Sequence, residues 1–185
     1  FAPLPKEKRY TLQTTPQNEV IIAPYNAKNI YMVQFHNENK EWNPNDAAKI
    51  SLFNEYFGGG MNAIVFQEMR EARALAYTAS ASYHMPNRLG DKDYFNTFII
   101  TQNDKMMDCI AQFNELLNNM PVRLANFDLA KQNLLKSLAS TRTTKFSILS
   151  AYMNAQKMGL NCTLSEKIYN DLPSVTFDDI INFEK

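Results

Sequence analysis

The two histidines limit the metal chemistry that this sequence can support. His36 is followed by Asn-Glu-Asn-Lys and His84 by Met-Pro-Asn-Arg. Neither begins an H-x-x-E-H motif, which places two imidazoles on one face of a helix with a glutamate as general base. A site of two histidines and one carboxylate assembled in space stays open, but polar residues at strand ends are the simpler interpretation. We therefore predict that this chain binds no metal, and no zinc in particular.

Arg70 and Tyr77 are two hydrogen-bond-donating side chains that flank the end of a predicted helix and the start of a predicted strand. A guanidinium supplies several rigidly placed hydrogen-bond donors, and a phenol supplies one more. From the residues alone, a helix-end arginine that caps carbonyls and a core tyrosine at the start of a strand are the better explanation.

The elements that position this pair lie within residues 57–83, FGGGMNAIVFQEMREARALAYTASASY. Gly58, Gly59 and Gly60 are predicted to form a structural turn, because glycine has access to positive φ and can end one helix and turn into the next. A phosphate-binding loop is not indicated, since the Gly-Lys-Ser/Thr ending is missing.

A short amphipathic helix should follow the glycines and lead into a strand. Its apolar face is predicted to contain Met61, Ile64, Val65 and Met69. Arg70 and Arg73 fall in the last turn, where the negative end of the helix dipole favours cations. From Tyr77 onward the pattern has a period of two, which predicts a strand over residues 77–85.

This stretch resembles the M16 zinc metallopeptidases (insulinase, pitrilysin and mitochondrial processing peptidase) in their second, non-zinc-binding half. That half typically contains a leucine- or phenylalanine-rich helix, a Gly-Gly-Gly turn, a helix ending in REKRGLAY, and a strand. The same order appears here as NEYFGGGMNAIVFQEMREARALAYTASASY. We expect Ala76 to stand where the family usually has glycine, a departure that bears on local backbone freedom.

The resemblance implies an α+β domain of the LuxS/MPP-like metallohydrolase type and a role in peptide hydrolysis. In the family, an arginine and a tyrosine in this context, here Arg70 and Tyr77, hold the substrate backbone and stabilise the oxyanion opposite the zinc site. The zinc, its ligands and the general base would come from a catalytic M16 domain on the same chain or on a partner subunit. The isolated chain, without H-x-x-E-H, would be inactive and would contain no cofactor.

Two alternatives to this function stay open. One is a scaffold domain of an inactive M16 homologue, similar to the core proteins of the respiratory bc1 complex. The other is a self-contained enzyme that uses His36 or His84 as its base. An H-x-x-E-H motif upstream in the parent gene would favour the peptidase over the scaffold.

Composition excludes some classes of protein. Lysine plus arginine and aspartate plus glutamate each number 19 in 185 residues, so the basic surplus of a nucleic-acid binder is missing. No apolar run approaches the ~20 residues of a membrane span, and no signal peptide is evident. Because the chain lacks an initiator methionine, we expect a fragment of a longer protein, for which bacterial cytoplasm and periplasm both fit. Cys109 is predicted to be a buried free thiol, and the state of Cys162 stays open.

The strand pattern predicts the fold class. Residues 1–19 should be a linker or extended arm, and residues 20–185 one domain, cut off at its C-terminal end. Strands are expected at 20–23, Asn29–His36, 77–85 and 94–101, the last two paired antiparallel. The strand Asn29–His36 should be central and covered, because both of its faces are largely apolar. The order predicts an α+β domain whose antiparallel-rich sheet is covered on one face by helices.

The helices are predicted from caps and apolar stripes. The first begins at Asn43-Pro44, with Ile50, Phe53 and Phe57 inward. Later helices are expected after Asn103 or Asp104, from an Asn126 cap, and through Phe146, Leu149, Tyr152 and Met153, where these apolar residues should form core. Gly159 should close that helix, and capping residues Thr163 with Glu166, and Thr176 with Asp179, should begin the last two.

Overall fold

The sheet consists of β1 (Asn29–His36), β2 (Thr78–His84) and β3 (Tyr94–Gln102) in the order β1-β3-β2. Both pairings are antiparallel, and Phe98 of β3 lies between Val33 of β1 and Ser80 of β2. The computed structural model describes residues 8, 10, 12–37 and 39–184. Within that part of the chain the architecture is α+β, as the sequence predicts, and the pairing of β2 with β3 is confirmed.

Seven α-helices, continued by shorter helical turns, surround one face of the sheet in the described part of the chain. They are α1 (Ala47–Phe53), α2 (Ile64–Phe66), α3 (Met106–Asn118), α4 (Leu124–Ser140), α5 (Ile148–Lys157), α6 (Leu164–Asp171) and α7 (Phe177–Glu184). The π-helical segments Asn54–Gly58 and Gln67–Ala72 extend α1 and α2, and 3-10 turns span Pro44–Asp46, Asn103–Lys105 and Leu172–Ser174.

The two faces of the sheet differ because its side chains alternate. The inner face carries Ala79, Ala81, Thr97 and Ile99, all of which are buried against the helices. The outer face, which includes Val33 on β1 and the hydroxyl-bearing residues of β2, is open. A sheet with helices on one face therefore matches the prediction.

The first helix provides much of the core, and its predicted start and inner stripe are confirmed. The Asn43 side chain accepts a hydrogen bond from the backbone N–H of Asn45, and Pro44 occupies the first helical position. Ile50, Phe53 and Phe57 are buried, and the rings of Phe53 and Phe57 stack with centroids 5.2 Å apart.

Two strand predictions are wrong. β1 is an edge strand rather than a central covered one, and Tyr31 and Val33 are 64% and 66% exposed. Apolar residues on both faces of a strand do not reveal whether that strand lies at the centre or at the edge of its sheet. Residues 20–23 form no strand, and their apolar side chains are exposed.

The predicted arm, residues 1–19, is only partly visible, since residues 1–7, 9 and 11 lie outside the described part. The remainder forms no helix or strand. It is nevertheless hydrogen-bonded to the residue that follows β1. The backbone N–H of Asn37 donates to Thr15 Oγ1, and the Asn37 side-chain amide donates to the Gln13 carbonyl. None of the described helices is long and apolar enough to cross a bilayer.

The glycine turn forms between α1 and α2 but by a different mechanism from the one predicted. None of Gly58, Gly59 and Gly60 adopts positive φ. Gly58 is required instead for close packing, because a Cβ atom there would lie 1.9 Å from the backbone oxygen of Ala81 in β2. Met61, predicted to lie on the apolar face, is 74% exposed in the turn, whereas Ile64, Val65 and Met69 are buried.

For the later helices, the predicted capping residues agree with the structure better than the predicted buried stripes do. Thr163 accepts from the Glu166 N–H, and Thr176 and Asp179 cap each other reciprocally. Gly159 has φ +74° and ends α5, as predicted. α4 begins at Leu124 instead of after an Asn126 cap.

One stripe prediction is wrong in a way that matters for the surface. Phe146, Leu149, Tyr152 and Met153, expected in the core, are exposed. Their spacing places them on one side of α5, but α5 packs through its C-terminal residues Ala155 and Met158.

Candidate functional site

Arg70 projects from the π-helical segment Gln67–Ala72, which precedes β2. Segments of this type are rare and occur frequently at functional sites. The Arg70 backbone carbonyl accepts a hydrogen bond of 3.0 Å from the N–H of Ala74, and Ala74 has φ +49°. A left-handed residue that closes the last turn in this way is a common end to a helix. It fixes the backbone from which the Arg70 side chain extends.

Tyr77 lies directly before β2 and is held there through its backbone. Its N–H donates to the Ile100 carbonyl of β3 at 2.8 Å, while its side chain is 72% exposed. The prediction from residues alone, a core tyrosine, is therefore wrong. Ala79 and Ala81, which share its alternation, are buried, but Tyr77 stands beyond the strand end and escapes the helical layer.

The structure brings Arg70 and Tyr77 together. The guanidinium carbon of Arg70 lies 5.7 Å from the Tyr77 ring centroid and 5.1 Å from the Phe66 ring centroid. Each cation–π contact contributes ~0.5–1 kcal/mol at exposed positions. Arg70 Nε also lies 3.6 Å from Glu71 Oε1, a loose pair between half-exposed groups that contributes little. The guanidinium is thus oriented by two rings and stays accessible.

A shallow depression of about 520 Å³ lies beside the pair. Arg70 and Tyr77 line it together with Asn29 at the start of β1, Gln102 at the end of β3, and Lys105. The Lys105 ammonium donates to the Ala74 carbonyl at 3.1 Å. The depression therefore lies where two strand ends meet a helix end, and two cationic side chains and a phenol border it.

Two residues that support this region were missed by sequence reasoning. Phe66 is four residues before Arg70, and that spacing places side chains together on a helix, so the contact could have been predicted. Glu68, with only 12% of its side chain exposed, pairs with Arg73 at 3.5 Å and with Arg123 at shorter range. No local pattern indicates the second pair, because Arg123 lies 55 residues away.

The alanine at the glycine position of the family motif is Ala74, not Ala76. Aligning REARALAY with REKRGLAY letter by letter places the glycine against residue 74. The backbone agrees, since Ala74 has positive φ, whereas Ala76 is not among the residues that do. Where the family motif has glycine, this chain therefore holds an alanine in a left-handed conformation at the end of the helical segment that carries Arg70. That conformation costs an L-residue roughly 1–2 kcal/mol.

The two histidines lie at the end of the sheet remote from Tyr77. His36 pairs with Phe95, and His84 pairs with Tyr94, so neighbouring positions of β3 place the two imidazoles on opposite faces. The His84 ring stacks on Tyr94 and lies 2.6 Å from the Asn96 side-chain oxygen. The histidines therefore do not converge on a shared site.

Other candidate ligands do not assemble either. Across residues 8, 10, 12–37 and 39–184, no three side chains among His, Cys, Asp and Glu come close enough to hold a metal ion. Within that described part, the side chains therefore do not provide the ligand set of a metallopeptidase zinc site. Cys109 is a buried free thiol that donates to the Leu75 carbonyl, and Cys162 is a partly exposed free thiol.

A family model described as "Peptidase M16 inactive domain" matches residues 2–147. The chain belongs to the M16 inactive-domain family. The motif that carries the sequence resemblance, from the glycines to Tyr77, lies inside the matched region. No curated protein matches the chain.

Several solved structures share the fold of this M16 inactive domain. An M16 inactive domain from Pseudomonas fluorescens matches with a TM-score of 0.69 and 18% identity over 86% of this chain. The periplasmic protease PqqL from Escherichia coli matches with a TM-score of 0.64 and 14% identity over 87% of this chain. A chain of Complex III2 from Candida albicans matches with a TM-score of 0.57 and 11% identity over 86% of this chain. This chain spans 38%, 18% and 40% of those chains, respectively.

Proposed function

We propose that this M16 inactive domain is the substrate-binding, non-catalytic wall of a zinc metalloendopeptidase. Arg70 and Tyr77 would donate hydrogen bonds to the peptide backbone and to the oxygen that becomes negatively charged. The zinc ion and the general base would lie in a catalytic M16 domain, on the same chain or on a partner subunit. This domain alone would not hydrolyse peptides.

The observation that carries the proposal is the exposed pairing of Arg70 with Tyr77 beside an open depression. Tyr77 is 72% exposed although its backbone is anchored in the sheet. A rigid backbone with an exposed donor is what transition-state stabilisation requires, since donors oriented in advance need no reorganisation during reaction.

The proposal can be tested in the assembled peptidase with three substitutions. Tyr77→Phe keeps the ring contact with Arg70 and removes only the hydroxyl donor. Arg70→Lys keeps the charge but loses the planar fork, and Arg70→Ala removes both. We expect kcat for a peptide substrate to fall at least about tenfold, and by up to roughly 10²–10³-fold for Arg70→Ala, which is the range for loss of one oxyanion donor.

Zinc content should stay unchanged in all three variants, since the metal would lie elsewhere. Two matched controls separate a specific role from a general one. Tyr25→Phe changes a tyrosine that is 88% exposed and outside the site. Arg73→Ala removes the neighbouring arginine, whose partner is Glu68. Turnover that survives the Arg70 and Tyr77 changes, or that falls equally in Arg73→Ala, would reject the donor role.

The alternative is a scaffold domain in an assembly without peptidase activity. The similarity to a chain of Complex III2 favours it, because that chain has the same fold within a multisubunit complex. In a scaffold, Arg70 and Tyr77 would be surface residues, and their substitution would change assembly rather than turnover. Measuring peptide hydrolysis and zinc content of the intact parent protein distinguishes the two functions.

A further inference from the structure

The first half of α5 and the turn that precedes it present apolar side chains to solvent. We define the α5 face as Phe146, Ile148, Leu149, Tyr152 and Met153. These side chains are between 47% and 84% exposed. Isolated exposed apolar residues are ordinary, but five within eight positions form a contiguous patch of the kind that marks an interaction site.

The face is exposed because α5 is attached at its opposite end. The Trp42 indole N–H donates to the Met158 carbonyl at 3.2 Å, and the Leu89 N–H donates to the Lys157 carbonyl at 2.8 Å. Met158 and Leu160 are buried there. The residues before Ala155 extend away from this anchor, so the α5 face stands clear of the core without unfolding the helix.

The stretch of sequence that contains the face carries charge of one sign. No Asp or Glu occurs between Asp128 and Glu166, although the chain as a whole has equal numbers of acidic and basic residues. The same interval contains five cations. One of them, Lys131, donates hydrogen bonds from its ammonium group to the carbonyls of Pro173 and Val175.

The other four cations are Lys136, Arg142, Lys145 and Lys157, and the two that closely precede the α5 face, Arg142 and Lys145, form what we call the cationic rim. All four are exposed. None of them forms a salt bridge with the described residues, and the Lys145 ammonium lies over the Phe146 ring at 5.1 Å. Arg142 and Lys145 closely precede Phe146 in the chain, so they place positive charge at the start of the apolar patch.

We propose that the α5 face binds another protein domain whose surface is apolar at its centre and edged by Asp and Glu. Protein interfaces have this anatomy, with aromatic residues and Met at the core and polar groups at the rim. Opposite charge at the rim steers the encounter and fixes the register.

A membrane surface is the less suitable occupant. An interfacial membrane helix carries its cations on the polar face opposite the apolar one. Here the face of α5 opposite the patch carries Ser150, Asn154 and one cation, Lys157, whereas the cationic rim comes from the segment that precedes α5. The chain's single tryptophan, the residue type that often anchors such helices, is Trp42, which is buried.

A synthetic helical peptide serves as the probe. It has leucines at i, i+3, i+4 and i+7 and glutamates beside them, and a matched peptide has lysines in place of the glutamates. Binding to the 185-residue chain is measured by fluorescence anisotropy. We expect the glutamate peptide to bind at least about tenfold more tightly than the lysine peptide. This advantage should shrink between about 50 mM and about 500 mM salt.

Variants on the two parts of the surface complete the test. The double substitution Leu149→Ser and Tyr152→Ser should weaken binding of the glutamate peptide at least about tenfold, because the apolar contact is lost. Arg142→Glu with Lys145→Glu should reverse the peptide preference. Tyr31→Ser, which removes an exposed apolar residue from β1, is the matched control and should change nothing. All these residues are exposed, so the fold should be retained.

Three results would overturn the proposal. The first is failure of the glutamate peptide to bind more tightly than the lysine peptide, or to bind at all. The second is preferential binding of the chain to phosphatidylserine vesicles, with loss of that binding in the Leu149 and Tyr152 variant. The third is concentration-dependent self-association through the α5 face, detected by sedimentation and abolished by the same variant.

Discussion

Substitution of Gly58 by alanine should destabilise the domain through a single backbone contact. Gly58 ends the helical segment that follows α1, and it lies against β2. A Cβ atom at this position would be 1.9 Å from the Ala81 backbone oxygen and 2.6 Å from the Ala81 carbonyl carbon. Because both atoms belong to the backbone of a paired strand, no side-chain rotation can relieve the clash.

The size of the effect follows from the required movement. The oxygen must retreat from 1.9 Å to at least 3.0 Å, which is a shift of about 1.1 Å between a helix end and a strand. Overpacking of this kind costs ~1–3 kcal/mol or more. The gain of alanine over glycine in a helix, about 1 kcal/mol, offsets part of the loss. Because the clash is with the backbone of a paired strand, the cost lies at the upper end of that range, so we expect a net loss of about 2 kcal/mol, which lowers Tm by about 4–8 °C in a domain of this size.

Urea and thermal denaturation followed by circular dichroism can measure this loss. Gly60→Ala is the matched control, because nothing lies within 4 Å of its Cβ position and its φ is not positive. Gly59→Ala should be intermediate, since its Cβ would be 3.3 Å from the Asn54 carbonyl oxygen. If the Gly58 and Gly60 variants are equally stable, the packing explanation for the glycine turn is wrong.

Three further predictions concern the backbone and two carboxylates. Ala74→Gly should raise the free energy of unfolding by about 0.5–1 kcal/mol, because it removes left-handed strain; an unchanged urea midpoint would contradict this. Burial raises the pKa of Asp93, so the wild type should gain stability relative to Asp93→Asn as pH falls from 7 toward 4. Hydrogen bonds from Thr176 lower the pKa of Asp179, so the advantage of the wild type over Asp179→Asn should be present at pH 7 and disappear as pH falls below 3.8. Thermal unfolding across pH tests both, and parallel pH profiles for the two variants would refute the assignments.

Local signals in the sequence predicted the elements well. A helix start depends on residues within one turn, so Asn43-Pro44, Thr163 and the Thr176–Asp179 pair could be recognised from their types and spacing. Alternation predicted β2, since its inner residues Ala79 and Ala81 must face the helices.

Features that depend on distant parts of the chain could not be predicted from local residue patterns. The position of β1 at the sheet edge depends on which strands are its neighbours, and an apolar pattern does not contain that information. The exposure of Leu149 and Tyr152 depends on how α5 is anchored to Trp42. For the same reason the pairing of Glu68 with Arg123 had no local sign.

The candidate site combines both kinds of determinant. The spacing of Arg70 and Tyr77 is local, but their proximity depends on the helix end at Ala74, which turns the chain into β2. The backbone cap fixes where the Arg70 side chain begins, and the Phe66 and Tyr77 rings contact its guanidinium. A family glycine at position 74 would form this cap without strain, whereas alanine forms it at a cost. The cap is nevertheless formed, which indicates that the tertiary contacts around Leu75, whose carbonyl accepts from both Thr101 and Cys109, determine where this helix ends.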